Sequence, residues 1–196
     1  MTTPIQHADL EQLFHNARTF THWQARPVAE ATLRQLFDLL KLCPTSANCS
    51  PARFVFVASP EAKARLKPCL APGNVDKTMS APVTAIVAMD TRFYEHLPQL
   101  FPHADAKSWF EGNAALIDAT AFRNSSLQGG YLILAARALG LDCGPMSGFD
   151  ADQLNAEFFP DGRFKANFLV NIGYGDASTL HPRSPRFGFD EACRIL

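Results

Sequence analysis

The residue types most able to do chemistry are gathered in Pro44-Thr45-Ser46-Ala47-Asn48-Cys49-Ser50-Pro51-Ala52-Arg53-Phe54. Two prolines bracket a cluster of small polar side chains. Small side chains let a flat ligand approach the backbone, and the Asn48 amide can both donate and accept at a heterocycle edge. This pattern suits a planar, hydrogen-bonding cofactor better than a phosphate chain or a metal. Gly144-Pro145-Met146-Ser147-Gly148-Phe149-Asp150 forms a second loop of the same character. Cys49 invites a nucleophile, but no His or Asp partner is recognisable, and cysteine is usually a small buried hydrophobe.

Several chemistries are missing their signatures. No GxGxxG follows a strand and opens a helix, and there is no GxxxxGK[ST], no GxSxG and no HExxH. The five cysteines form no CxxC pair and no zinc spacing, so no metal is expected. The formal net charge is -1, which leaves no nucleic-acid footprint. No apolar run is long enough to span a bilayer. The N-terminus lacks the charged-then-apolar order of a signal peptide, and the scattered cysteines read as reduced thiols, so a cytoplasmic location is expected. With 196 residues, 47% hydrophobic and 19% charged, the chain reads as one domain with an ordinary globular balance.

The elements that must position these loops follow from periodicity. Helices are expected over Asp9 to Arg18 and over Ala29 to Leu42, the latter with Leu33, Leu36, Phe37 and Leu40 on one face. Arg53 to Ala58 and Val83 to Met89 read as buried strands, with a helix opened by Pro60 between them. Residues 90–112 carry Phe93, Tyr94, Leu97, Leu100, Phe101, Trp109 and Phe110 among prolines, an excursion that packs over something. Asn113 to Leu139 reads as a long helix stopped by Gly140. It is apolar over much of its circumference in its second half, so it is buried centrally or in a dimer seam. Asp150 caps a short helix up to about Phe158, Ala166 to Ile172 is a third strand, and an extended arm follows from Asp176. This order does not alternate strand and helix regularly, so the expected class is α+β with a small sheet flanked by helices.

The ordered set Ala17-Arg18-Thr19, Pro44 to Arg53, Ala138-Leu139-Gly140-Leu141, Ser147-Gly148-Phe149-Asp150, Ile172-Gly173-Tyr174-Gly175 and Arg183-Ser184-Pro185-Arg186 resembles the FMN-dependent nitroreductases across nearly the whole chain. Leu100 to His103 and Ala121-Phe122-Arg123-Asn124-Ser125-Ser126 are similar to the RutE/HadB-type branch, which is associated with malonic semialdehyde reduction in pyrimidine degradation. The resemblance implies a nitroreductase-like fold with a small mixed sheet, and a homodimer with FMN at the subunit interface against the long helix and tail. It implies ping-pong hydride transfer from NADH or NADPH to a small-molecule acceptor. Arg18, Thr19, Arg183 and Arg186 would hold the FMN phosphate. Ser46 and Asn48 would sit at the flavin edge. Pro145, Met146, Ser147 and Gly148 would lie along the ring, with the Ser147 and Gly148 N–H groups at N5 or O4. Trp109, Phe110 and Arg123 are candidates for the substrate pocket. The proton for a reduced aldehyde could come from Ser46, Ser147, a tail arginine or solvent. A broad nitro- or quinone reductase, and a flavin carrier without turnover, are the alternatives. Ala17, Thr21 and Ser50 stand where the usual pattern has Arg, a basic residue and Gln, so a loosely held phosphate is expected.

Overall fold

The computed structural model describes residues 3–196. A sheet is built from β1 (Ala52–Val57), β2 (Val83–Asp90), β3 (Asp142–Met146) and β4 (Phe164–Gly173), in the order β1-β2-β4-β3. All three strand pairs are antiparallel. The expected mixed sheet is therefore corrected: among the described residues the parallel pairing is the isolated bridge of Thr19 to Cys143. Strand sense depends on long connections, which local residue pattern does not encode.

The helices are α1 (His7–Leu10, continuing as a wide turn over Glu11–His15), α2 (Glu30–Leu40), α3 (Pro60–Leu66), α4 (Val75–Ser80), α5 (Leu97–Leu100), α6 (Ala114–Ala138), α7 (Ala151–Phe158) and α8 (Phe189–Ala192). β2 alternates as a doubly covered strand must. Val83, Ala85 and Val87 face a core shared with Leu36 and Leu40 of α2 and Leu132, Ala135 and Ala136 of α6. Ile86 and Ala88 face the opposite core, with Leu66 of α3 and Leu154 of α7. The result is a helix–sheet–helix sandwich with α6 lying across the sheet.

α6 begins where Asn113 accepts the Leu116 N–H and ends before Gly140, whose φ of 73° favours glycine. Its Gly129 lets β4 come close, since a Cβ there would stand 2.3 Å from the Phe168 ring. Pairing of β2 with β4 jumps from Phe168 to Ala166, which leaves Asn167 as a bulge. The Asn167 amide donates to the hydroxyls of Ser125 and Ser126 on α6, so the bulge ties sheet and helix together.

The excursion after β2 is a third core, in which Phe93, Leu97, Ala106 and Phe110 pack against Cys49 and Ala121. Its base is pinned by Asp90, which is fully buried and paired with Arg53 and Arg163.

Lys63 is buried without a carboxylate. Its ammonium donates to the Thr78 carbonyl at the end of α4 (2.8 Å) and to Thr84 Oγ1 (2.6 Å), which in turn donates to Asn171. Burial pushes its pKa down to about 8. Below that value the ammonium is charged in both folded and unfolded chains, and the cost of burying it is fully present. Above it the folded chain sheds the proton while the unfolded chain, near 10.4, keeps it, so this residue adds stability as pH rises from about 8 to about 10. Denaturant unfolding across that window should show a stability gain in the wild type that is smaller in Lys63→Met; equal slopes would refute the assignment.

Candidate functional site

The segment after α1 and the C-terminal arm converge on one cleft. Thr19 bridges to Cys143, and Phe20 donates its N–H to the Cys143 carbonyl, so the segment runs along the outer edge of β3. The arm returns beside it: Asp176 donates its N–H to His22 and caps Ser178 through its carboxylate. The bonds to Ser178 hold the Asp176 carboxyl below its usual range. Arg18 then donates to the His181 carbonyl, and Arg183 to the carbonyls of His15 and Ala17. The cleft between them is about 410 Å³, lined by Arg18, Thr19, Thr21, Arg137, Arg183 and Arg186 among others, with no Asp or Glu. Four guanidiniums without a carboxylate make a site for an anion of more than one charge.

Thr21 also lines a second cavity of about 450 Å³, together with His22, Gly73, Asp76, Lys77 and Ser80. Thr21 thus borders both the cation-rich cleft and a less charged cavity. Next to Gly73, Gly148 accepts at its carbonyl from the Ala71 N–H (3.1 Å) and the Asn74 amide (2.7 Å). The turn is further fixed by the bridge of Leu70 to Phe149 and by Asp150 donating to the Cys69 carbonyl. Among the described residues the N–H groups of Ser147 and Gly148 have no protein acceptor. Two adjacent free donors on a pinned turn can hold an acceptor edge of a planar ring. Pro145 and Met146, expected in a loop, instead belong to β3. The edge position of that strand tolerates the proline, and Thr78 donates to the Met146 sulfur.

The Asn48 loop lies apart from both cavities. Ala47, Asn48 and Ser50 have φ of 48°, 50° and 37°, three side-chain-bearing residues in the left-handed region within four positions. Each costs on the order of 1–3 kcal/mol and persists only where its surroundings over-determine it. Here the buried Asn124 accepts the Ser46 N–H, the buried Gln128 accepts the Ala52 N–H, and Thr45 accepts the Ser50 N–H. Asn48 donates to the Leu100 carbonyl (2.8 Å). Ser46 and Asn48 themselves are exposed. The loop is thus a rigid, strained platform that presents two polar side chains outward.

Of the pocket candidates, Phe110 is corrected to core. It is buried and meets Phe93 edge-on at 4.9 Å. Trp109 is half exposed and meets Phe101 edge-on. Arg123 lies on the outer face of α6, beside Phe122, Leu127 and Tyr131, all exposed. Cys49 is buried and its thiol is pushed up to about 11 by burial, which rules against a thiolate nucleophile. No group of His, Cys, Asp and Glu among the described residues could hold a metal, and no helix is long and apolar enough to cross a membrane.

The sequence reading missed Arg137, Asn74 and Lys77. Arg137 was absorbed in the apolar pattern of α6. Asn74 sits before, and Lys77 on, a six-residue helix too short and polar to show a period.

The family model for the nitroreductase family matches residues 1–174. A relative from Polynucleobacter asymbioticus, provisionally named an NADH dehydrogenase/NAD(P)H nitroreductase, is 65% identical over all of both chains. A relative of the same provisional name from Burkholderia lata is 66% identical over 98% of this chain and 99% of its own. Among solved structures, a provisionally named nitroreductase from Bacillus subtilis superposes with a TM-score of 0.88 at 23% identity, covering 97% of this chain and all of its own. Another from Exiguobacterium sibiricum, solved in complex with FMN, superposes with a TM-score of 0.85 at 21% identity over all of both chains.

Proposed function

This chain belongs to the nitroreductase family, and from that premise we propose that it is an FMN-dependent NAD(P)H oxidoreductase that reduces malonic semialdehyde to 3-hydroxypropionate. The observation that carries the cofactor reading is the carboxylate-free cleft of four arginines, with a second, less charged cavity bordering the same Thr21. That shape fits a phosphate at one end and an uncharged ring system at the other. The donor set fits too: guanidiniums and a hydroxyl at the anionic end, free backbone N–H groups on the Ser147–Gly148 turn. When bound, FMN would supply two-electron hydride chemistry between NADH or NADPH and the acceptor.

The protein's part is to bind and orient. Arg18, Arg183 and Arg186, with Thr19, neutralise the phosphate. The Ser147 and Gly148 N–H groups fix the ring edge. Two observations support a homodimer with the site shared between protomers. Asn48 and Ser46 face outward from a rigid loop that lines neither cavity, and the outer face of α6 exposes Leu116, Phe122, Leu127 and Tyr131. A second copy would cover this face and bring its Asn48 loop to the ring. For a small acidic aldehyde, the available cations are Arg123, the tail arginines and Lys77. Ser46 and Ser147, both exposed, are the hydroxyls placed to donate a proton.

The names of the relatives favour a second reading, a broad nitro- or quinone reductase on the same cofactor. One experiment separates these: FMN titration of desalted protein, anaerobic NAD(P)H addition, then acceptor screening. Bleaching of bound FMN, followed by a kcat/KM for malonic semialdehyde well above that for nitroaromatics and quinones, is the expected result. Preference for nitroaromatics or quinones would select the second reading. FMN that binds without bleaching would identify a flavin carrier.

A further inference from the structure

We infer that Arg137, from the last turn of α6, is a phosphate-binding and positioning residue of the cation-rich cleft, supplying the side-chain cation that Ala17 lacks. The inference rests on the FMN reading above and extends it to a residue outside the motif set. Arg137 lines the cleft with Arg18, Thr19, Arg183 and Arg186. Its Nε is the one buried side-chain nitrogen or oxygen without a hydrogen-bond partner among the described residues. Buried donors are nearly always satisfied, so an orphan N–H on a residue that lines an anion-selective cleft marks a missing acceptor. A phosphate oxygen is the acceptor that the neighbouring charges would attract.

The rest of the residue is already fixed. Its Nη1 donates to the Leu13 carbonyl (3.1 Å), and its own carbonyl accepts from Gln12 (2.6 Å). Arg137 therefore clamps the N-terminal helix to α6 from both its backbone and its side chain. That helix leads directly into Arg18 and Thr19, so the clamp sets where these two stand. Arg183 and Arg186 are exposed and spend donors on backbone carbonyls of the N-terminal segment and the arm. Arg137 is only partly exposed, on the rigid end of a 25-residue helix. A cation held on a rigid element loses less freedom on binding and is screened less by salt than one on an exposed arm. The loose phosphate grip suggested by Ala17 and Thr21 is thereby offset from a distant part of the chain.

The test compares FMN with riboflavin, which lacks the phosphate, by flavin fluorescence titration of the full-length apoprotein. Arg137→Met is expected to weaken FMN by roughly tenfold to a hundredfold, the range for one charge-assisted hydrogen bond, with riboflavin nearly unchanged. Arg137→Lys keeps a charge without the Nε donor and should fall between. If Arg137→Met does not fold, Arg137→Lys decides in its place, by losing affinity for FMN while keeping riboflavin or by failing to separate the two. Equal weakening of both flavins would reduce Arg137 to a structural clamp and overturn the inference, as would unchanged FMN binding. A wild type that binds FMN no better than riboflavin would instead overturn the phosphate-cleft reading itself.

Discussion

Replacing Asp90 with alanine is expected to destabilise the fold by about 3–5 kcal/mol, the range for stripping the partner from a buried charge. For a chain of this length that corresponds to a fall in melting temperature of roughly 6 to 20 °C. Asp90 has no exposed surface. One carboxylate oxygen accepts from the Arg92 N–H and Arg163 Nε, and the other from Arg53 Nη2 and Arg163 Nη2. Without it the two guanidiniums face each other with no anion between them. Burial already pushes the Arg53 pKa down, and the bond to Asp90 holds Arg163 up, so the pair depends on this one carboxylate. Glu95, which reaches Arg163 at 3.2 Å, is partly exposed and compensates little.

The damage should also spread in a defined direction. Asp90 ends β2 and starts the excursion whose Leu100 carbonyl receives the Asn48 amide. Loosening its base removes one of the restraints that hold Ala47, Asn48 and Ser50 in the left-handed region. Thermal unfolding of the wild type and Asp90→Ala measures the first effect, and hydrogen exchange over residues 45–52 the second. A melting temperature within 2 °C of wild type, a shift that would stand for only about 1 kcal/mol, would show that the ion cluster does not hold the excursion.

What could be read in advance divides by physical range. α6 was legible with both its ends, because Asn113 and Gly140 act through local backbone geometry and the apolar stretch between them is long. β1, β2 and β4 were legible as apolar runs between turn signals. β3 was not, since Asp142-Cys143-Gly144-Pro145-Met146 carries the residues that mark loops, and an edge strand tolerates them. α4 was too short and polar to show a period. In the candidate site, Arg18, Thr19, Arg183 and Arg186 were named from motif order and do line one cleft. Arg137 was hidden because its position is set by tertiary packing, more than 110 residues from Arg18 in sequence. The strain at Ala47 and Ser50 was invisible for a related reason. Neither residue type favours positive φ, and only the distant acceptors Asn124 and Gln128 hold the loop there.

That separation of the Asn48 loop from the arginine cleft leads to the second large effect. If each site draws its phosphate cations from one protomer and its Asn48 edge from the other, two defective chains can repair one another. Arg18→Ala should weaken FMN by roughly tenfold to a hundredfold through loss of a charge-assisted contact. Asn48→Asp tolerates the left-handed backbone but replaces the amide donor with an acceptor, so it should lower turnover while leaving the phosphate end intact. At FMN concentrations near the wild-type Kd, Arg18→Ala should be largely empty and Asn48→Asp should turn over slowly, so each variant alone should fall well below wild type. Mixed after co-expression, half the dimers are hybrids, and each hybrid has one site with both defects and one with neither, so about a quarter of wild-type activity should return. A site contained within one protomer predicts the opposite, because every cleft in a hybrid would then carry one defect or the other. Activity of the mixture no higher than the average of the two variants would therefore place Asn48 and Arg18 in the same subunit's site, or remove Asn48 from the site altogether.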